Sequence, residues 1–137
     1  MESVVRGFLK DPIMKADRWF SNDLVNHLFE RLDEMGRSTH FDLIAINIQR
    51  GRDHGLPGYT KFREFCNLSP VRTWDDLRRV ITPDTFSIYR GVYKFVDDID
   101  LFTAMLAENK EKDSLIGPTL KCILGIHFRD LKFGDRF

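Results

Sequence analysis

Apolar positions recur at intervals of three and four along most of the chain, the spacing of a helical face. From Ser21 to Met35, the residues Leu24, Val25, Leu28, Phe29, Leu32 and Met35 follow it, with Ser21 or Asn22 placed as N-cap and Gly36 as stop, so the spacing predicts a helix. Thr73-Trp74-Asp75-Asp76 reads as a capping-box start, its hydroxyl and carboxylate facing orphan amides, and Trp74, Leu77, Val80 and Ile81 form the stripe that follows. Thr82-Pro83-Asp84 restarts the pattern with proline at the first helical position, and Phe86, Tyr89 and Tyr93 share a face. Asp97-Asp98 is read as the start of another helix carrying Ile99, Phe102, Met105 and Leu106. Gly117-Pro118 opens the last one, whose apolar members Leu120, Ile123, Leu124, Ile126 and Phe128 cover enough of the circumference to predict burial on several sides.

Phe41 to Ile48 is apolar enough for a buried strand or a buried helix, and periodicity does not choose. Helix is preferred, because an isolated strand would leave its backbone groups without partners. No segment reads as a hairpin, and the fold class expected is mainly α, with no substantial sheet.

Composition narrows the function more than the fold. Twenty-one Lys plus Arg balance twenty-one Asp plus Glu in 137 residues, so no global field draws in nucleic acid or an anionic membrane, and neither is expected as a partner. No stretch approaches the roughly 18 apolar residues of a membrane span, and Met1 to Arg6 lacks the basic-then-apolar layout of a secretory signal. Two cysteines, Cys66 and Cys122, leave open one bridge or two free thiols. His27 is placed on the polar side of the first clear helix, His40 in a short loop and His127 in an apolar helix; none has a second ligand at metal-binding spacing, so no protein metal site is expected.

The densest polar constellation is Asn47-Ile48-Gln49-Arg50-Gly51-Arg52-Asp53-His54-Gly55-Leu56-Pro57-Gly58-Tyr59, immediately after an apolar run. On a helix Asn47 and Arg50 share a face, so an amide and a guanidinium would leave the core together. One reading is the edge of a buried anion or cofactor site, because guanidinium pairs bidentately with carboxylate or phosphate. The other is an internal ion pair of Arg52 with Asp53 at a glycine turn.

That run, continued by Phe62-Arg63-Glu64-Phe65-Cys66, resembles the signature of the animal haem peroxidases. Further segments support the likeness in the same order: Val5-Arg6-Gly7, Asp97-Asp98-Ile99-Asp100-Leu101-Phe102, Gly117-Pro118-Thr119-Leu120-Lys121-Cys122-Ile123-Leu124-Gly125, then Phe128-Arg129 and Gly134-Asp135-Arg136-Phe137. The resemblance covers essentially the whole chain. It implies a helical haem-peroxidase domain with haem as cofactor, and hydrogen peroxide and a small electron donor as substrates. A secreted or extracellular setting and a part in the response to oxidative stress are implied as well. Asn47 matches the asparagine that accepts a hydrogen bond from the proximal histidine, and Arg50 the arginine that pairs with a haem propionate. Arg52, Asp53 and His54 match structural neighbours of the site, and Cys66 and Cys122 match two cysteines that the family joins in a disulfide.

The departures are equally specific. No histidine stands in the family's proximal Arg-x-Gly-His setting, and the distal histidine and arginine, the carboxylates esterified to haem and the calcium loop all belong to upstream sequence in that family. Residues 1–137 are therefore read as a C-terminal portion of a peroxidase domain that supplies no catalytic residue itself, with the remainder of that domain as its partner. The alternative is an inactive truncated remnant acting as a scaffold or interaction module.

Overall fold

The structure is a computed structural model and describes residues 2–134. Its elements run α1 (Glu2–Lys10), α2 (Asn22–Asn26), β1 (Leu28–Leu32), β2 (Ser38–Phe41), α3 (Leu43–Asp53), α4 (Tyr59–Phe65), α5 (Trp74–Val80), α6 (Pro83–Val92), a 3-10 turn (Val96–Asp98), α7 (Leu101–Ala107) and α8 (Pro118–Gly134). The architecture is mainly α, as expected; the sheet is one antiparallel hairpin, β1 against β2.

Local chemistry sets several boundaries where the sequence places them. Thr73 caps α5 in a full capping box: its hydroxyl accepts from the Asp76 amide while the Asp76 side chain accepts from the Thr73 amide. Pro83 opens α6, where its missing N–H costs nothing. Asp42 caps α3 by accepting from the Ile44 and Ala45 amides, so the ambiguous run is helical from Leu43, while Phe41 closes β2.

Three expectations are corrected. The helix expected from Ser21 to Met35 ends at Asn26, and a hairpin follows where none was read. The side chain of Asp33 accepts from the Met35 and Arg37 amides and from Arg37 Nε, and Gly36 takes φ +74°, so a turn forms where the helix was to continue. Phe29, Leu32 and Met35 are all exposed, so the stripe that imitated a helical face has no core behind it.

The helix expected from Asp97-Asp98 begins only at Leu101, because Val96–Asp98 winds as a 3-10 turn and Ile99 is buried in extended backbone ahead of it. The last helix does start at Pro118, yet it is not buried on several sides. Only Thr119 of α8 is buried, while Leu124, Phe128, Leu131 and Phe133 stay exposed.

The core lies between α4, α5, α6 and α7. Tyr59, Leu77, Ile81, Ile99 and Ala104 are essentially inaccessible, and Trp74 meets Phe86 edge-on at 6.3 Å. Gly58 packs so closely beneath the Asp97 carbonyl that a Cβ there would overlap it. This contact lets the Tyr59 amide donate to the Ile99 carbonyl at 2.9 Å and ties α4 to the segment ahead of α7.

On α4, the side chains of Tyr59 and Arg63 reach Glu108, the centre of a buried network. It accepts from Tyr59 Oη at 2.6 Å, from Thr119 N at 2.8 Å and Thr119 Oγ1 at 2.7 Å, and from Arg63 Nη1. Burial pushes the Tyr59 phenol up, and the neighbouring Glu108 charge pushes it the same way. Cys66 and Cys122 are joined in a disulfide, which anchors α8 to the end of α4.

Candidate functional site

Helix α3 carries Asn47 and Arg50 one turn apart, and both side chains line an open cavity of about 790 Å³. Leu101, Phe102 and Met105 of α7 line it too, together with Tyr93, Lys94 and the carboxylates Asp97, Asp98 and Asp100. Asn47 is half-buried and Arg50 exposed; among the described residues neither side chain has a hydrogen-bond or ion-pair partner. An amide, a guanidinium and an apolar wall therefore face one space, as expected from the helical spacing of positions 47 and 50.

Arg52 is placed differently from the sequence reading. Its partner is Asp100, 48 residues away, and not the adjacent Asp53: Arg52 Nε and Nη2 donate to Asp100 Oδ1 and Oδ2 at 2.9 and 2.6 Å. Consecutive helical residues point about 100° apart, and Arg52 extends toward the start of α7, where Asp100 offers both carboxylate oxygens. Tyr93 Oη adds a third bond to Asp100 Oδ2 at 2.8 Å.

The Arg52 hydrogen bonds hold the Asp100 carboxyl below the usual carboxylate range, while burial pushes the other way. The same pair pushes the Arg52 guanidinium up. Burial raises the Tyr93 phenol, opposed by its Thr103 contact and supported by Asp100. Behind it Tyr89, 5.6 Å away edge-to-face, is pushed up to about 12 by burial.

His54 also lines the cavity, whereas the other histidines lie elsewhere. His27 ends α2, with Nδ1 2.9 Å from Glu30 Oε2, and is not on a helix face. His40 stands in β2 rather than in a loop, its ring 6.4 Å from that of His27. His127 is exposed on α8 beside Phe128. Among the described residues, no three His, Cys, Asp or Glu side chains gather as a metal site, and no helix is long and apolar enough to cross a membrane.

Sequence reasoning missed Asp100 as the partner of Arg52, and missed the Glu108 network. The place of Asp100 directly before the α7 apolar run suggests an N-cap, but its side chain makes no cap hydrogen bond, so local spacing does not lead to Arg52. Nothing in the periodicity marks Glu108, which precedes a charged loop and looks solvated.

Comparison with known proteins gives consistent results. The profile of the family described as animal haem peroxidase matches residues 1–137. Peroxidasin homolog pxn-2 of Caenorhabditis elegans is 39% identical over 140 residues, an alignment that takes in 100% of this chain and 10% of the relative. Thyroid peroxidase of Sus scrofa is 41% identical over 139 residues, covering 100% and 15%. Among solved structures, peroxidase A from Dictyostelium discoideum superposes with a TM-score of 0.80 at 34% identity, over 98% of this chain and 25% of that one. A fatty acid alpha-dioxygenase from Arabidopsis thaliana gives 0.56 at 28% identity, over 72% of this chain and 16% of that one. The chain thus spans a quarter or less of each of these relatives.

Proposed function

Because the chain belongs to the animal haem peroxidase family, we propose that it forms the proximal-side wall of the haem pocket in a peroxidase that reduces hydrogen peroxide and oxidises a small donor. The observation that carries this reading is the pair Asn47 and Arg50, both without protein partners among the described residues and both lining one cavity with Leu101, Phe102 and Met105. The donor set suits a flat apolar ring with acidic substituents: a guanidinium for a carboxylate edge, an amide for the axial side, and Leu101, Phe102 and Met105 to exclude water.

Haem, when bound, supplies the redox chemistry. With haem bound, the Asn47 amide oxygen would accept the N–H of an imidazole contributed from outside residues 1–137 and so hold that ring's orientation. Arg50 pairs with a propionate and sets the ring's register in the pocket. Residues 1–137 then act as a C-terminal portion of the catalytic domain, completed by the rest of it. The disulfide supports an oxidising, secreted or extracellular setting.

A second reading, an inactive scaffold or interaction module, draws on the exposed apolar residues of α8, which suit docking as well as they suit completion of a domain.

The test is a graft in which the chain replaces the matching quarter of Dictyostelium peroxidase A. A graft that folds, takes up haem and turns over peroxide, and loses both properties in Asn47→Leu and Arg50→Ala, supports the pocket wall. A folded graft whose haem uptake and turnover are indifferent to both substitutions overturns it in favour of the scaffold.

A further inference from the structure

We propose that Arg52, Asp100 and Tyr93 form a brace that positions Asn47 and Arg50 by fixing the orientation of α3 against the start of α7. The proposal rests on the assignment of Asn47 and Arg50 to the haem pocket.

Helix α3 has no fully buried residue, so packing alone holds it weakly. Its N-terminus is closed by its own cap, Asp42, which ties it to nothing else. Among the described residues, the Arg52 to Asp100 pair is the only side-chain hydrogen bond or ion pair that joins α3 to another element. The two bonds are parallel, Nε to Oδ1 and Nη2 to Oδ2, and such a fork resists rotation as well as translation. Arg52 leaves the helix at a different angle from Arg50, and it lines the same cavity as Asn47 and Arg50 while its guanidinium is engaged by Asp100.

Asp100 stands at the N-cap position of α7, yet its side chain makes no cap hydrogen bond. The carboxylate is turned to Arg52 and Tyr93 instead, and its side chain is only 13% exposed. Local helix stability is thus forgone for a cross-cavity link. Tyr93 adds the third contact and bonds Thr103 Oγ1 at 3.4 Å, so the carboxylate is held from the α6 side and the α7 side together. The three residues line the same cavity as Asn47 and Arg50, so a rotation of α3 released by their loss would shift both groups.

Two measurements test the brace. In the 137-residue chain, hydrogen exchange of the α3 amides should quicken about five- to tenfold in Arg52→Gln and in Asp100→Asn, with no further gain in the double variant and no change in α4. Arg52→Lys, which keeps the charge but not the fork, should fall between. Unchanged exchange in α3, or an equal rise in α4, overturns the proposal. Should Arg52→Gln fail to fold, Tyr93→Phe keeps the ion pair and decides the matter: a smaller rise confined to α3 supports the brace, and none overturns it.

In the haem-loaded graft, the shift of ferric/ferrous potential produced by Asn47→Asp should shrink to less than about half in the Arg52→Gln background, a non-additivity between residues that do not touch. A full shift in that background overturns the proposal. If Asn47→Asp moves nothing in the unmodified graft, the haem assignment fails, and the exchange result still decides the brace.

Discussion

The Arg63 guanidinium and the Glu108 carboxylate face each other with side chains 4% and 1% exposed, 45 residues apart in sequence. No buried side-chain nitrogen or oxygen among the described residues lacks a partner, because Tyr59, Thr119 and the Ser69 carbonyl complete the set. The pair is sustainable only as a satisfied group. Removing one member leaves the other charge buried alone, so Glu108→Ala or Arg63→Met should cost about 3–5 kcal/mol. Urea denaturation of each variant checks this, and a loss below about 1 kcal/mol would show that water reaches the site.

The Cys66 to Cys122 bridge joins two residues 56 apart in sequence. Restraint of the unfolded chain over that length contributes about 4 kcal/mol in the entropy model. Cys66→Ser with Cys122→Ser should lower the denaturation midpoint accordingly and free α8 first, since α8 buries only Thr119 besides this link. Peptide mapping without reduction should recover the two cysteines as one linked species from protein made in an oxidising compartment.

Asp100 gives the stability an acid limb. Its folded pKa lies below the ordinary 3.8 because Arg52 donates to the carboxylate. The contribution is therefore fully present above the ordinary value and is lost as pH falls through the depressed one. Asp100→Asn should flatten that part of the profile and leave the neutral range offset but parallel. Denaturation midpoints recorded from about pH 2 to pH 6 decide it; identical slopes for the two proteins would refute the assignment.

For Asn47, the haem-loaded graft offers a directional test. An amide oxygen is a neutral acceptor, whereas a carboxylate draws an imidazole toward imidazolate and favours ferric iron. Asn47→Asp should lower the ferric/ferrous potential. Asn47→Leu should leave a buried N–H unpaired, at about 1–3 kcal/mol, and shorten haem retention. Spectroelectrochemistry and a haem-transfer assay read the two effects, and an unchanged potential in Asn47→Asp would place the residue away from the axial ligand.

What the sequence by itself determined is what neighbouring residues decide among themselves. The capping box at Thr73, the proline start of α6, the proline start of α8 and the common face of Asn47 and Arg50 depend on backbone and side-chain geometry within one or two turns, and all appear in the structure. The family could be read for the same reason: its signature is a contiguous run, Asn47 to Tyr59, that needs no folding to be recognised. Only the tertiary structure decided the partners. Arg52 chose Asp100 over Asp53 because chain distance says nothing about which side chains converge, and Glu108 left solvent because Tyr59, Arg63 and Thr119 met around it. The stripe from Leu24 to Met35 shows the same limit from the other side. Three-and-four spacing predicts a helix when a core stands behind it, and here none does, so the Asp33 turn and strand pairing prevail over the pattern.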